Sequence, residues 1–292
     1  MSAMVSLLGP RLLREVRERL GIVDLSVDSA GLHAFYRAWC LNVPFDNLHK
    51  MRVIFAEPEN PYPMQSAQEL FENFLAYGIG GTCWPHANAM YALLRACGFD
   101  ARRATGSMYD FEDHNHGTVF VTLDDGSTWI LDNAMLTVQP LRVDRDPLTL
   151  QTGVHFAEVE HEGDALFVHG LFPPFPYIFC HIRERDVDER VFATQWEKLR
   201  RKGAFNERLH IQRATPDALV AMRGANLYRW DGRALETTPL DEDGVLHHLA
   251  TTMGVDRVFV RRWADSGALA STMTPPSGPP PVLPVRPPPS KR

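Results

Sequence analysis

Over the first hundred residues the apolar positions recur with a helical period. Leu12, Leu13, Val16 and Leu20 lie among arginines and glutamates, and a second run of this kind covers about 30–41. Val43-Pro44-Phe45-Asp46-Asn47-Leu48 breaks the pattern with a proline, and a loop containing Pro58, Pro61 and Pro63 follows. The period returns over 66–77 and stops at Gly78-Ile79-Gly80-Gly81. Just beyond Cys83 another helix is predicted, with Pro85 in its first turn, Met90, Leu93, Leu94 and Cys97 on one face, and Gly98 closing it.

The pattern then changes to short runs rich in β-branched residues. Strands are predicted over 116–123 and 128–131, joined as a hairpin by Asp124-Asp125-Gly126-Ser127. Further short strands are expected near 154–160, 165–169, 208–214 and 226–230, then a helix over 241–253 and a strand over 257–261. From Pro275 to Pro289 there are nine prolines and almost nothing that packs a core. This tail is expected to be disordered or polyproline II, with a Pro-x-x-Pro ligand role as the alternative.

Composition narrows the function classes. A 292-residue chain with 45% hydrophobic residues can bury a sizeable core. Its formal net charge of -6 provides no concentrated basic face, so nucleic acid is not an expected partner. Four scattered cysteines, Cys40, Cys83, Cys97 and Cys180, form neither a disulfide framework nor a Cys-x-x-Cys metal site. Reduced thiols and a cytoplasmic setting follow. The apolar stretch before Arg11 is shorter than a secretory core and no run approaches a membrane span, so a soluble protein is expected.

Against that background Cys83, His116 and Asp132 stand out as candidate catalytic residues. A cysteine beside a helix N-terminus is favoured as thiolate, because free amides and the helix dipole stabilise negative charge there. Gly80 and Gly81 let the backbone turn tightly, and amides near Cys83 are candidates for holding an oxyanion. His116 opens one hairpin strand and Asp132 follows the other, so antiparallel pairing brings imidazole and carboxylate together. Taken singly, Cys83 reads as a small buried hydrophobe, His116 as a strand-end histidine and Asp132 as a turn residue. Together they form a nucleophile, its base and the group that orients the base.

Three alternatives compete. His114 lies two residues from His116 and faces the same side of an extended chain, which makes it a rival base. Cys83, His86, His114 and Asp132 form a rival zinc set that lacks tight ligand spacing, and no metal is expected. Gly78-x-Gly80 fails as a dinucleotide fingerprint, since a helix precedes it and Cys83 occupies the third glycine's place.

The residues resemble the arylamine N-acetyltransferase family over most of 10–262. Val43-Pro44-Phe45-Asp46-Asn47-Leu48 is similar to its Ile/Val-Pro-Phe-Glu-Asn-Leu motif, and Gly80-Gly81-Thr82-Cys83 to its Arg-Gly-Gly-aromatic-Cys motif. His116 with Val119 and Val121 resembles the histidine strand, and Trp129-Ile130-Leu131-Asp132 the aspartate strand. Phe205-Asn206, Leu227 to Gly232 and Leu240 to Gly254 resemble the family's third region. The chain departs from the family at Ile79, Thr82, Pro85 and Ala87, and has Asn133-Ala134-Met135-Leu136 in place of Val-Gly-Phe-Gly. The resemblance places that loop at the coenzyme A phosphates, where glycine lets backbone amides approach an anion.

The resemblance implies an α+β fold with an N-terminal helical bundle, a central β-barrel, a C-terminal α/β lid and a cysteine-protease-like Cys-His-Asp core. The expected divisions are 1–98 carrying the nucleophile, 99–204 carrying histidine and aspartate, 205–264 as the lid and 265–292 as the tail. It also implies ping-pong transfer of an acyl group from acetyl-CoA or another thioester, through acyl-Cys83, to a small-molecule amine. No permanently bound cofactor is expected, and no residues are assigned to cofactor binding. The altered loop opens a further reading, an amide synthase fed by an acyl carrier protein, and the Cys, His and Asp order opens another, a thiol hydrolase or transamidase using the same trio. A degenerate member that serves as a binding protein is the non-enzyme alternative. Phe45, Trp84, Phe111 and Phe172 are candidate acceptor-pocket residues, with core packing as the competing role.

Overall fold

A computed structural model of the chain describes residues 8–275, except 60, 61, 63, 110–113, 133, 146, 147 and 201–204. The Pro-rich segment from 276 on lies outside the described residues, as does Phe111.

Helices dominate the first hundred residues: α1 (Pro10–Leu20), α2 (Ser29–Asn42), a short β1 (Phe45–Asp46), α3 (Leu48–Ala56), α4 (Ala67–Tyr77) and α5 (Cys83–Ala96). Local chemistry sets several of their ends. Asp28 caps α2 by accepting from the Gly31 amide, Ser66 caps α4 by accepting from Glu69, and Gly78 closes α4 with a left-handed φ of 70°. The stretch after the Pro44 break was expected to be a loop, yet it holds α3, with Leu48 and Met51 buried against the C-terminal third of the chain.

Eight strands follow: β2 (Asp100–Met108), β3 (His116–Thr122), β4 (Thr128–Leu131), β5 (Leu141–Arg142), β6 (Leu148–Thr152), β7 (His155–Glu162), β8 (Ala165–Phe172) and β9 (Phe175–Val187). They pair in the order β5-β4-β3-β2-β9-β8-β7-β6, and β5 returns against β6 and β7, curling the sheet into a nearly closed barrel. The expected hairpin is β3-β4, in register from Val119 opposite Leu131 to Thr122 opposite Thr128.

Helix α6 (Glu189–Leu199), capped by Asp188, leaves the barrel and lays Phe192 and Trp196 into the core. The last third holds β10 (His210–Ala214), β11 (Leu219–Arg223), β12 (Asn226–Trp230), β13 (Leu235–Pro239), α7 (Glu242–Thr251), α8 (Arg257–Trp263), a π-helical turn (Ala264–Ala268) and α9 (Leu269–Met273). Two expectations are corrected here. The 257–261 segment is helical, because Asp256 caps it through the Val258 and Phe259 amides and Phe259, Val260 and Trp263 are buried. Ordered backbone also continues through Ala264–Met273, where a disordered tail was expected from 265: the π-helical turn kinks at Gly267, with a φ of 98°, and leads into α9, burying Ala268 and Thr272.

The fold is therefore α+β, with a helical N-terminal part, a barrel-like middle and a C-terminal α/β layer. One apolar core runs from the helices into the barrel, and a second joins α3 to β10, β11, α7 and α8. Among the described residues no helix is long and apolar enough to cross a membrane.

Candidate active site

The Pro44–Leu48 segment fixes the loop that carries Cys83. Phe45 bridges to Gly81, and the Asp46 amide donates to the Gly81 carbonyl at 3.1 Å. The Asp46 carboxylate accepts from the Gly80 amide at 2.6 Å and the Leu48 amide at 3.0 Å. Burial pushes that carboxyl up to about 7, against the opposing pull of these two amides. On its other edge β1 pairs with β10, and Asn47 exchanges bonds with His210 while its Nδ2 donates to the carbonyls of Phe205 and Arg208. Gly80 is obligatory because a Cβ there would lie 2.0 Å from the Pro44 carbonyl oxygen. One short motif thus ties the Cys83 loop to the C-terminal sheet.

Cys83 is the first residue of α5 and Thr82 its N-cap, so the sulfur stands where the helix dipole favours an anion. Behind it the barrel backbone comes very close: a Cβ on Gly117 of β3 would lie 2.8 Å from the Trp84 ring. That contact brings the start of β3 onto the start of α5. Cys83 hydrogen-bonds to the His116 ring and also points at the Asn115 carbonyl at 3.9 Å.

His116 Nε2 meets Asp132 Oδ2 at 2.6 Å, leaving Nδ1 for the thiol. The second Asp132 oxygen accepts from the amides of Ala134 at 2.9 Å and Met135 at 3.1 Å, and its carbonyl accepts from the Tyr36 hydroxyl. Burial alone would raise the Asp132 carboxyl, but the His116 charge and bond and the two amides outweigh it and hold it below its ordinary value. Burial alone would depress His116, but Asp132 and the Cys83 bond overcome it and push the ring up to about 10. A histidine with that affinity for a proton suits a thiolate-imidazolium pair, the reactive form of a cysteine nucleophile.

His116 and Asp132 thus form a buried pair with the Cys83 thiol beside the His116 ring, and the rivals have other surroundings. His114 Nδ1 faces Thr105 Oγ1 at 3.1 Å and Glu184 Oε1 at 3.2 Å. His86 is fully buried, edge-on to Trp39 at 5.0 Å and Phe45 at 6.2 Å. Of the pocket candidates, Trp84 packs edge-on to Phe192 at 5.0 Å, and Phe45 and Phe172 pack on each other at 5.9 Å; all three are core residues. Among the described residues no cluster of His, Cys, Asp or Glu is arranged to hold a metal ion.

Three features of the site have no sequence motif behind them. Tyr36 reaches Asp132 from α2, and α6 delivers Phe192 and Trp196. Lys50 of α3 is buried within electrostatic reach of Cys83. The Asp188 cap followed by Val191, Phe192 and Trp196 was the available signal for α6. The loop after Asp132 keeps an unusual backbone: Leu136, aligned with the second family glycine, has a φ of 47° without being glycine.

Known proteins resemble this chain in sequence and in fold. A family model described as N-acetyltransferase matches residues 28–259. The arylamine N-acetyltransferase of Mycolicibacterium smegmatis is 25% identical over 246 residues, covering 78% of this chain and 86% of the relative. The solved Mycobacterium marinum arylamine N-acetyltransferase in complex with CoA superposes with a TM-score of 0.75 at 17% identity, covering 89% of this chain and 98% of that one. The Salmonella typhimurium enzyme superposes with a TM-score of 0.71 at 20% identity, covering 90% and 97%. The family model spans the Cys83 loop, the β3-β4 hairpin and the C-terminal sheet. This chain is accordingly an N-acyltransferase and a divergent member of the N-acetyltransferase family to which the arylamine enzymes belong.

Proposed function

We propose that the chain transfers an acetyl group from acetyl-CoA to an arylamine through an acetyl-Cys83 intermediate. The observation that carries this reading is the buried 2.6 Å contact between His116 Nε2 and Asp132 Oδ2, with the thiol bonded to the same ring. The donor and acceptor classes rest on the relatives, which are named arylamine N-acetyltransferases and one of which is solved with CoA. In the first half-reaction the Cys83 thiolate attacks the thioester carbonyl, the carbon-sulfur bond to CoA breaks, and the departing thiolate takes the His116 proton. In the second the amine attacks acetyl-Cys83, His116 accepts the amine proton, and the Cys83 thiolate leaves. Asp132 keeps the ring oriented and compensates its charge throughout. In this reading 1–98 supplies the nucleophile, 99–204 the base and its orienter, and 205–264 the layer that closes the nucleophile loop.

Intact-mass measurement after incubation with acetyl-CoA alone is expected to show one added acetyl group, lost on adding an arylamine. Cys83→Ala is expected to abolish the adduct. Undiminished labelling of that variant would overturn the assignment. A faster return of the adduct to free thiol in water than in amine would point to hydrolysis instead.

A further inference from the structure

The first turn of α3 holds an amine in an uncommon setting. Lys50 is only 6% exposed, and its Nζ lies 5.2 Å from the centre of the Trp196 ring. That ring is itself fixed, since Trp196 Nε1 donates to the Tyr62 carbonyl at 3.2 Å. Asp46, four residues earlier, accepts from the Leu48 and Gly80 amides, and Glu69 pairs with His49 Nε2 at 3.2 Å. Among the described residues Lys50 makes no ion pair or hydrogen bond.

A methionine would fill the same space without taking a charge out of water, and an unpaired buried ammonium is costly. Burial lowers Lys50 to about 8, and Cys83 is the charged group whose pull opposes that fall. Lys50 is therefore a buried amine against the Trp196 ring, within electrostatic reach of Cys83 and with no ion pair of its own among the described residues. The neighbouring aromatic ring attracts the cation without using up its N–H donors.

We propose that Lys50 recognises a carboxylate on the substrate handled by Cys83, carried either by the acyl chain or by the amine. This rests on the acyl-transfer reading of Cys83. A carboxylate there supplies the missing counter-charge and a charge-assisted hydrogen bond. A neutral isostere would leave the ammonium without that counter-charge, so the site discriminates between the two.

Two matched pairs test this and separate the sources. With acetyl-CoA as donor, 4-aminobenzoate is compared with 4-aminobenzamide; with 4-aminobenzamide as acceptor, succinyl-CoA is compared with butyryl-CoA. In the wild-type protein kcat/KM is expected to favour the charged member of one pair by about tenfold or more, and that pair names the source. Lys50→Met is expected to bring this ratio down towards one, while Lys50→Arg retains part of it. Ratios near one in both wild-type pairs, or a ratio unchanged in Lys50→Met, would overturn the proposal; the wild-type ratios decide even if the Met variant does not fold. Cys83 acylation is read by mass in the same samples. No acylation by any donor defeats the acyl-transfer reading and this proposal with it, whereas acylation with ratios near one defeats the Lys50 proposal alone.

Discussion

The β3-β4 end of the barrel and the aromatic cluster around β1 each bury a histidine almost completely, with opposite results. His116 is 2% exposed and is pushed up to about 10; His86 is 0% exposed and is pushed down to about 3. Burial acts in the same direction on both. At His116 it is outweighed by Asp132 and the Cys83 thiol. His86 has a ring of Trp39 and one of Phe45 beside it, and neither of its nitrogens makes a hydrogen bond of regular geometry, although the Pro44 carbonyl lies nearby. His210 repeats the second case, stacked on Phe172 at 4.8 Å and pushed down to about 3 by burial and by Arg223. The partner, rather than the depth, decides which imidazole is charged.

Removing the partner should break the contrast. In Asp132→Asn the ring loses its counter-charge, so the His116 pKa is expected to fall well below about 10, as read by NMR titration of the ring. Loss of charge compensation and orientation is expected to lower kcat by about 10³–10⁴-fold. A titration unchanged from wild type would show that Asp132 is not what holds the proton.

The two histidines should also affect stability on opposite sides of neutrality. His116 binds its proton more tightly folded than unfolded, so its contribution is fully present below the unfolded value of about 6.5 and is lost as pH rises towards about 10. His86 binds its proton less tightly folded, so it costs nothing above about 6.5 and destabilises progressively as pH falls towards about 3. Denaturation midpoints of wild type and His86→Leu, measured from pH 8 to pH 5, are expected to shift steadily in favour of the variant. A constant gap would mean that His86 is not held neutral.

The smallest effect expected is that of His86→Leu at pH 8. Both ring nitrogens are without a regular partner, so an apolar side chain leaves no group newly unsatisfied, and stability should change by about 1 kcal/mol or less. Acyl transfer should persist, since His86 takes no part in the proposed chemistry. A loss of several kcal/mol would reveal a bond that His86 makes in solution.

Much of the frame was legible where local signals agree. The helical period located α2 and α4, with Gly78 ending the latter, and Asp124 to Ser127 between two β-branched runs gave the hairpin. Where local and tertiary preferences conflict, the pattern misled. Val258, Phe259 and Val260 read as a strand, yet the Asp256 cap and the burial of Phe259 and Val260 where α8 meets Tyr77 and α3 make the segment a helix. Helices α3 and α6 are short and owe their order to distant partners, Met51 to the C-terminal core and Phe192 to Trp84.

The sequence by itself determined that a cysteine begins a helix and that a histidine and an aspartate close one hairpin, because capping, turn chemistry and strand pairing act between near neighbours. Tertiary structure alone decided that the hairpin meets the helix, since that contact requires Gly117 to admit the Trp84 ring. It also decided that His116 rather than His114 faces the thiol, and that Lys50 is buried near it. Protonation and access depend on groups that converge from α2, α3, α5 and β3, and no local pattern records that convergence.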